Sequence, residues 1–262
     1  MPVAIITGAS KGLGRALAAA LAGRGWDLVV DARSAGPLEA AARELRRTGV
    51  RVVALPGDVA DGAHRAALVA AAREWGRLDL LVNNASVLGA APLVRLSGHA
   101  LDGLRAALEV NVVAPLGLAQ EALPLLRTSS HLPAYAGGVV TGDADKDDGH
   151  KDLHPYIGTG GAILNISSDA AVEAYETWGG YGATKAALER LSAVLAEEEP
   201  GLRVWWVDPG DMRTDLYAAA VPDDDGSGRP LPTTVVPGLL RLLDGPAASG
   251  RYVAADLLDG AR

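Results

Sequence analysis

The chain has 262 residues, 49% of them hydrophobic, enough apolar material for a sizeable core in one large domain or two small ones. Its net charge of −8 and lack of a dense basic cluster argue against nucleic acid as a partner, and the absence of cysteine excludes disulfides and thiolate chemistry. The amino terminus has no basic region followed by a long apolar run, and no segment approaches the ~20 apolar residues that span a bilayer; a soluble, cytoplasmic protein with no membrane partner is expected.

Val3 to Thr7 is a short apolar run that reads as a buried strand. Gly8-Ala-Ser-Lys-Gly12-Leu-Gly14 follows it directly, and Leu13 to Ala22 reads as helix. Strand, glycine-rich turn and helix together suit a phosphate: glycine lets the backbone approach it, and a helix N-terminus offers free N–H groups and partial positive charge. The glycine spacing differs from that of the commonest dinucleotide fingerprint, and a glycine-rich turn that binds nothing would carry the same residues. A second strand is expected at Asp27 to Ala32, a helix at Leu38 to Arg47 and a third strand at Arg51 to Leu55, ending in Pro56-Gly57-Asp58-Val59. A helix follows at Ala63 to Trp75. The fourth strand, Leu78 to Val82, runs into Asn83-Asn84-Ala85-Ser86. From the residues alone, Asp58 is equally a helix cap and the paired asparagines a turn.

A long helical pattern from Ala100 to Leu126 is interrupted around Asn111-Val-Val-Ala-Pro115, where proline removes a backbone bond and a kink is expected. Residues 127–161 are polar in their second half and without periodicity, the pattern of an exposed insertion at the sheet edge or mouth that carries no catalytic group. Asp147, Asp148, His150, Asp152 and His154 fall in it without fixed ligand spacing, so a solvated acidic loop is expected and no metal.

Ala162 to Ile166 reads as another buried strand, with Ser167 and Ser168 at its carboxyl end. Tyr181-Gly-Ala-Thr-Lys185 then opens an apolar-periodic run through Leu195, and the spacing of four puts Tyr181 and Lys185 on one helix face. At ~4.5 Å and an effective dielectric near 20, a phenol and an ammonium interact by roughly 3–4 kcal/mol, which would bring the tyrosine pKa from about 10 toward 7–8. Ser168 would hold the oxygen on which charge develops. Spacing alone does not separate this from an amphipathic helix that carries a Tyr and a Lys. A sixth strand is expected at Leu202 to Val207, with Trp205 and Trp206 on opposite faces, followed by Asp208-Pro209-Gly210-Asp-Met212-Arg-Thr214. Val221 to Pro232 reads as a mobile loop, part of a substrate loop over about 211–232; a helix at Val235 to Leu243 and a strand at Arg251 to Val253 close the chain. Alternating strands and helices imply a parallel, doubly wound sheet with right-handed crossovers. No repeat or linker divides residues 1–262, so a single domain is expected.

The glycine loop with its preceding threonine, Asn83-Asn84-Ala85, Asn-Val-x-x-Pro at Asn111, Ser168 with Tyr181-Gly-Ala-Thr-Lys185, and Pro-Gly-x-x-x-Thr at Pro209 occur in one order. Together they resemble the short-chain dehydrogenase/reductase family, over essentially the whole chain except residues 127–161. The resemblance implies a Rossmann-type, three-layer α/β/α fold with about seven strands in the order 3-2-1-4-5-6-7 and a nicotinamide cofactor across their carboxyl ends. Gly8, Ser10, Lys11, Gly12, Leu13 and Gly14 would then hold the cofactor; Asp58 and Val59 would meet its adenine, and Asn83, Asn84 and Ala85 would line the nucleotide. Pro209, Gly210, Met212 and Thr214 would contact the carboxamide and phosphates. Ser86 stands where the family usually has glycine, which adds a side chain near the nicotinamide end.

The resemblance further implies reversible hydride transfer between a nicotinamide and a small-molecule carbonyl or alcohol. Tyr181 would exchange the proton, Lys185 would lower its pKa and hold the nicotinamide ribose, Ser168 would orient the carbonyl, and Asn111 would act through a water and the lysine. Ser167 is the rival serine, although a continuing strand would point it to the opposite face. Tyr175 and Trp178, in the loop before Tyr181, suit an apolar or cyclic substrate or simply pack that loop. NADP(H) is favoured, because Ala32 occupies the position where NAD enzymes carry an acid, while Arg33 and Lys11 stand where the family binds the 2′-phosphate. Asp31, one residue earlier, would favour NAD(H) if it reached the ribose. Carbonyl reduction with NADPH is thus expected. The alternatives are an NAD-dependent alcohol dehydrogenase of the same fold and a non-catalytic nucleotide sensor. A homodimer or homotetramer is expected by the same resemblance.

Overall fold

The computed structural model describes residues 1–132 and 160–259, together with the strand pieces Tyr135–Ala136, Val139–Val140 and Ile157–Gly158. The apolar runs form strands β1 (Val3–Ile6), β2 (Asp27–Ala32), β3 (Val52–Pro56), β4 (Leu80–Asn83), β5 (Ala162–Ile166), β6 (Arg203–Asp208) and β7 (Ser249–Val253). They lie in the order β3-β2-β1-β4-β5-β6-β7 and pair parallel throughout, as the alternation of strand and helix requires. The register sets Ile5 beside Val29 and Leu81, Leu81 beside Ile163, and Ile163 beside Val204. With both faces covered, these strands carry consecutive apolar residues rather than one at every second position, with polar residues such as Asp27, Asp31 and Arg203 at or near their ends.

Helices α1 (Gly12–Gly23) and α2 (Ala35–Arg46) contribute Leu13, Leu17, Leu38 and Leu45 to one buried layer, with Ala4, Ile6 and Trp205 from the sheet. Helix α3 (Gly62–Glu74) contributes Leu68 and Val69 to the other, with Val3, Ile5 and Trp206. The two adjacent tryptophans therefore do point to opposite faces. The result is a single α/β domain of three layers.

The long helical pattern is realised as α4 (Leu101–Leu108), a π-helical turn (Glu109–Val113) and α5 (Ala114–Leu126). The irregularity lies just before Pro115, which has no N–H to give, and the Ala114 N–H reaches back to the Glu109 carbonyl across the widened turn. The following stretch is exposed at Arg127, Thr128, Ser130 and His131, but two of its first residues are anchored in the core. Ser129 is buried and its hydroxyl donates to Asp79 Oδ1 at 2.6 Å, while the other oxygen of this fully buried carboxylate accepts the Val3 N–H at 2.8 Å. Arg77 neutralises Asp79. Leu132 joins the core, and His131 meets the edge of Trp26. Val139–Val140 adds a short parallel strand beyond β7, an eighth at the sheet edge, and Tyr135–Ala136 pairs antiparallel with Ile157–Gly158. The acidic and histidine residues from Asp147 to His154 lie outside the described residues.

Beyond β6, α7 (Asp215–Ala220) and α8 (Pro232–Asp244) precede β7, and α6 (Gly179–Glu198) carries the Tyr-x-x-x-Lys segment. Helix α7 lies inside the stretch read from sequence as a loop; Thr214 starts it by accepting the Tyr217 N–H on its hydroxyl. Among the described residues no helix is long and apolar enough to cross a membrane, and no group of side chains has the makings of a metal site.

Candidate active site

A cavity of about 920 Å³ runs across the carboxyl ends of β2, β4, β5 and β6. Such sizes stand at the upper end of the ~300–1,000 Å³ usual for small-molecule sites, as a long ligand with a second molecule beside it would need. The glycine loop forms one end through Gly8, Ser10, Lys11, Gly12 and Leu13; Arg33, Asp58 and Val59 border it, and Asn84 and Ala85 continue the wall. Pro209, Gly210, Met212 and Thr214 line the opposite side, and Ser168, Tyr181 and Lys185 lie at the far end.

The loop's shape is imposed from behind. Gly8 has φ +67°, a conformation costly for residues with a Cβ. Thr7 Oγ1 accepts the N–H groups of Asn84 and Ala85, both at 3.0 Å, and Asn84 Nδ2 donates to the Thr7 carbonyl at 2.8 Å. This reciprocal clamp fastens the β4 turn to the glycine loop. A Cβ on Gly14 would sit 2.5 Å from Asn84 Nδ2 and 2.6 Å from the Gly8 carbonyl oxygen. Gly14 is therefore a packing residue behind the loop and does not itself line the cavity. A Cβ on Gly8 would stand 3.0 Å from Asn84 Nδ2, so glycine there lets the loop sit against the β4 turn with its backbone lining the cavity, as a pyrophosphate cradle requires.

Asn83 also differs from expectation. It is buried beneath the cavity, donating to Asn165 Oδ1 at 2.8 Å, and Asn165 in turn donates to Ser192 on α6. As the last residue of β4, it turns into the sheet, and the cavity wall starts at Asn84.

Asp31 is buried on β2, accepting the Gly8 N–H at 2.7 Å on one oxygen and lying 3.1 Å from His64 Nε2 with the other. Arg33, two residues on, is exposed at the cavity border. Lys11 is exposed too and pairs with Asp215 at 2.6 Å, linking the glycine loop to the start of α7. A pair this solvated exchanges readily for a stronger anion.

At the other end Tyr181 and Lys185 are buried in the first turns of α6. Lys185 Nζ donates to the carbonyl of Ile166, the last residue of β5, at 2.7 Å, and stands 5.5 Å from the centre of the Tyr181 ring. Burial brings the ammonium down to a pKa of about 8, against the opposing influence of Glu189. The phenol moves the other way from the sequence expectation. Burial pushes it well above the ordinary tyrosine value; the Ser86 hydroxyl opposes that shift, and the charges of Asp208 and Asp169 add to it. Desolvation is the largest influence on the phenol in this dry site.

The two serines both border the cavity but their hydroxyls are engaged differently. Ser167 is buried and donates to Glu189 Oε1 at 2.6 Å, whereas Ser168 donates to Asp169 Oδ1 at 3.0 Å and caps a short turn. Asn111 does not reach the cavity. Its Nδ2 donates to the Val87 carbonyl at 2.8 Å and to Thr184 Oγ1 at 2.9 Å, and its Oδ1 accepts from Val87 N at 2.9 Å and from Ser86 Oγ at 3.1 Å. All four hydrogen-bonding positions of the amide are filled, so any contact of this residue with a water uses its main chain.

Several wall residues carried no sequence signal of their own. Leu88 to Ala91, Ala106, Val110, Leu216 and Ala220 line the cavity together with the expected Trp178, and Asp169 and Asp208 stand near Tyr181. Tyr175 is exposed and donates to Asp169 Oδ2 at 3.0 Å, outside the cavity wall. Thr214 followed by Asp215 is a helix-start signal that would have exposed α7.

Residues 2–138 and 151–225 match the family described as short chain dehydrogenase. Sepiapterin reductase of Mus musculus is 33% identical over 228 residues, covering 83% of this chain and 77% of that protein. Diacetyl reductase [(S)-acetoin forming] of Staphylococcus epidermidis is 28% identical over 218 residues, covering 82% and 72% respectively. A crystal structure of a short chain dehydrogenase from Escherichia coli CFT073 complexed with NADPH superposes with a TM-score of 0.79 at 25% identity, covering 97% of this chain and 96% of that one. With its parallel sheet, its glycine-loop cavity and this match over most of its length, the chain belongs to the short-chain dehydrogenase/reductase family of nicotinamide-dependent oxidoreductases.

Proposed function

We propose that the protein reduces a ketone or aldehyde of a small, apolar or cyclic metabolite to the alcohol, with NADPH as reductant and Tyr181 as proton donor. The observation that carries this is the placement of Tyr181, Lys185 and Ser168 at one end of a single cavity whose other end is the glycine loop. A bound reduced nicotinamide supplies the hydride. Tyr181, kept protonated by its burial, gives its phenolic proton to the carbonyl oxygen, and Ser168, on the same wall, donates to that oxygen to orient it. Lys185, anchored on Ile166, holds positive charge beside the phenolate that results and is at hand for the ribose hydroxyls. Asn111 acts from behind as a positioning residue. The apolar wall of Leu88, Val110, Trp178 and Leu216 suits a ring or alkyl carbonyl compound, and the named reductase relatives support the direction.

The preference for NADPH rests on Asp31 and Arg33. Both Asp31 oxygens already have partners in Gly8 and His64, so this carboxylate is a brace for the loop, while the Arg33 guanidinium is free to meet a 2′-phosphate. A charge-assisted bond to phosphate is worth roughly 1.5–3 kcal/mol. Arg33→Ala is therefore expected to weaken NADPH binding by about 10-fold or more and leave NADH nearly unchanged. Fluorescence titration of both nucleotides checks this, and tighter binding of NADH than NADPH by the wild type would reverse the preference, as an NAD-dependent alcohol dehydrogenase requires.

Turnover is tested by following NADPH absorbance over a carbonyl panel that includes diacetyl and bicyclic ketones. Tyr181→Phe should lower kcat by at least ~10²–10⁴-fold while nucleotide affinity stays within a few-fold. Near wild-type turnover by this variant would remove the phenol from the chemistry, and a protein that binds NADPH but reduces nothing would be a nucleotide sensor.

The pH dependence follows from Lys185. Its ammonium is present below a pKa of about 8 and lost above it, whereas the phenol stays protonated across this range. Accordingly kcat/KM for NADPH should fall as pH rises through about 8, and the falling limb should vanish in Lys185→Arg, which keeps its charge at a lower rate. A wild-type profile without that limb would contradict the assignment.

A further inference from the structure

We infer that His64 is a positioning residue for the cofactor: through Asp31 it fixes the Gly8 N–H, and with it the glycine loop that receives the nucleotide phosphates. The inference rests on the reading of that loop as a pyrophosphate cradle and not on the choice between NADPH and NADH. His64 stands behind the cavity wall, whereas Gly8, Asp31 and Gly57 line it. Any effect of the imidazole on the nucleotide therefore passes through these neighbours.

The connection is a chain of hydrogen bonds. Asp61 caps α3 by accepting the Ala63 N–H, which sets His64 in the first turn of that helix. The ring reaches across to β2, where its Nε2 lies 3.1 Å from Asp31 Oδ2. A carboxylate oxygen only accepts, so Nε2 carries the hydrogen. The other oxygen, Asp31 Oδ1, accepts the Gly8 N–H at 2.7 Å, and the Asp31 carbonyl accepts the Ala9 N–H at 2.8 Å. The His64 and Asp31 side chains are only 9% and 1% exposed. A carboxylate at that depth holds its orientation through its partners, because water does not replace one that is lost. Among the described residues His64 is the one side chain that bonds it.

The ring is also seated closely against the turn after β3. A Cβ on Gly57 would stand 2.2 Å from His64 Nδ1 and 2.6 Å from its Cγ, so glycine at this position is what admits the imidazole. The Gly57 N–H donates to the Ala32 carbonyl at 3.1 Å, and the next residue, Asp58, borders the cavity. His64 thus stands where the ends of β1, β2 and β3 converge. Gly8, with φ +67°, is the point at which the first strand turns into the loop, so a bond to its N–H sets the plane from which the cradle departs. Without the imidazole, Asp31 keeps a partner on one oxygen only and is free to turn, and ordering the loop then draws on binding energy. That cost falls on NADPH and NADH alike, since both carry the same pyrophosphate, whereas Arg33 acts on the 2′-phosphate alone.

The test titrates NADPH and NADH by fluorescence against wild type, His64→Leu, His64→Gln, Asp31→Ala and the double variant of His64→Leu with Asp31→Ala. Leucine fills the space of the ring without a donor, and glutamine restores an N–H at similar reach. His64→Leu is expected to weaken both nucleotides by about 10-fold and to raise KM for NADPH to match, with kcat within a few-fold of wild type. His64→Gln should recover most of that affinity, and in the Asp31→Ala background His64→Leu should add no further loss. His64→Met, which also lacks the donor, takes the place of His64→Leu if that variant does not fold. Unchanged affinity in His64→Leu, a loss confined to NADPH, no recovery with glutamine, or the full loss repeated in the Asp31→Ala background overturns the inference. A lower thermal midpoint with affinity intact overturns it too, and leaves His64 an ordinary packing residue. Wild type that prefers NADH reverses the cofactor preference but leaves the role of His64 standing, whereas wild type that binds neither nucleotide removes the cradle and this role with it.

Discussion

The site depends on an ammonium group held in a dry place. Removing a lysine from water costs several kcal/mol unless acceptors replace the solvent. Here the replacement comes from the Ile166 carbonyl, which the parallel sheet presents at its carboxyl edge. That contact sets where α6 must lie, because Lys185 can reach the end of β5 only when the first turns of the helix cross it. Tyr181, one turn earlier, is then carried to the same edge. The burial that locates the pair also tunes it: the lysine moves down and the phenol up, so that at neutral pH both are protonated. This is the state that the proposed carbonyl reduction requires.

The other end of the cavity is built on hydrogen bonds rather than charge. The Thr7 hydroxyl and the Asn84 amide exchange contacts with each other's backbone, and Gly14 lets the two turns approach. Asp31 holds the Gly8 N–H from below. A loop fixed on three sides needs little reorganisation to receive an anion, which is how a backbone cradle gains affinity without a dense cluster of cations. Behind the strands, Asp79 joins the start of β1 to the end of α5 through Val3 and Ser129, so both ends of the cavity rest on one braced sheet.

Strands buried on both faces are continuous apolar runs, and β2 and β5 could be read from the sequence residue for residue. The glycine loop and the Tyr-x-x-x-Lys spacing were legible because each needs fixed residue types at fixed intervals. Three things were not. The upward shift of the tyrosine is not visible in the sequence, because pair spacing reports the charge partner and is silent on burial, the largest influence at this site. Ser129 reads as the start of a polar insertion, yet its role comes from Asp79, 50 residues earlier in the chain. Asn83 and Asn84 are adjacent and chemically alike; only the end of β4 decides that one faces the sheet and the other the cavity.

The central claim is that this cavity brings a nicotinamide and a carbonyl together for direct hydride transfer. Its most direct test is a single-turnover reaction with NADPH carrying deuterium at the transferred C4 position, using a carbonyl compound that the protein accepts. The account predicts one deuterium on the carbinol carbon of the product, none on its oxygen after exchange into ordinary water, and no wash-out into solvent. Product alcohol without deuterium at that carbon would contradict direct transfer and with it the role assigned to the whole site.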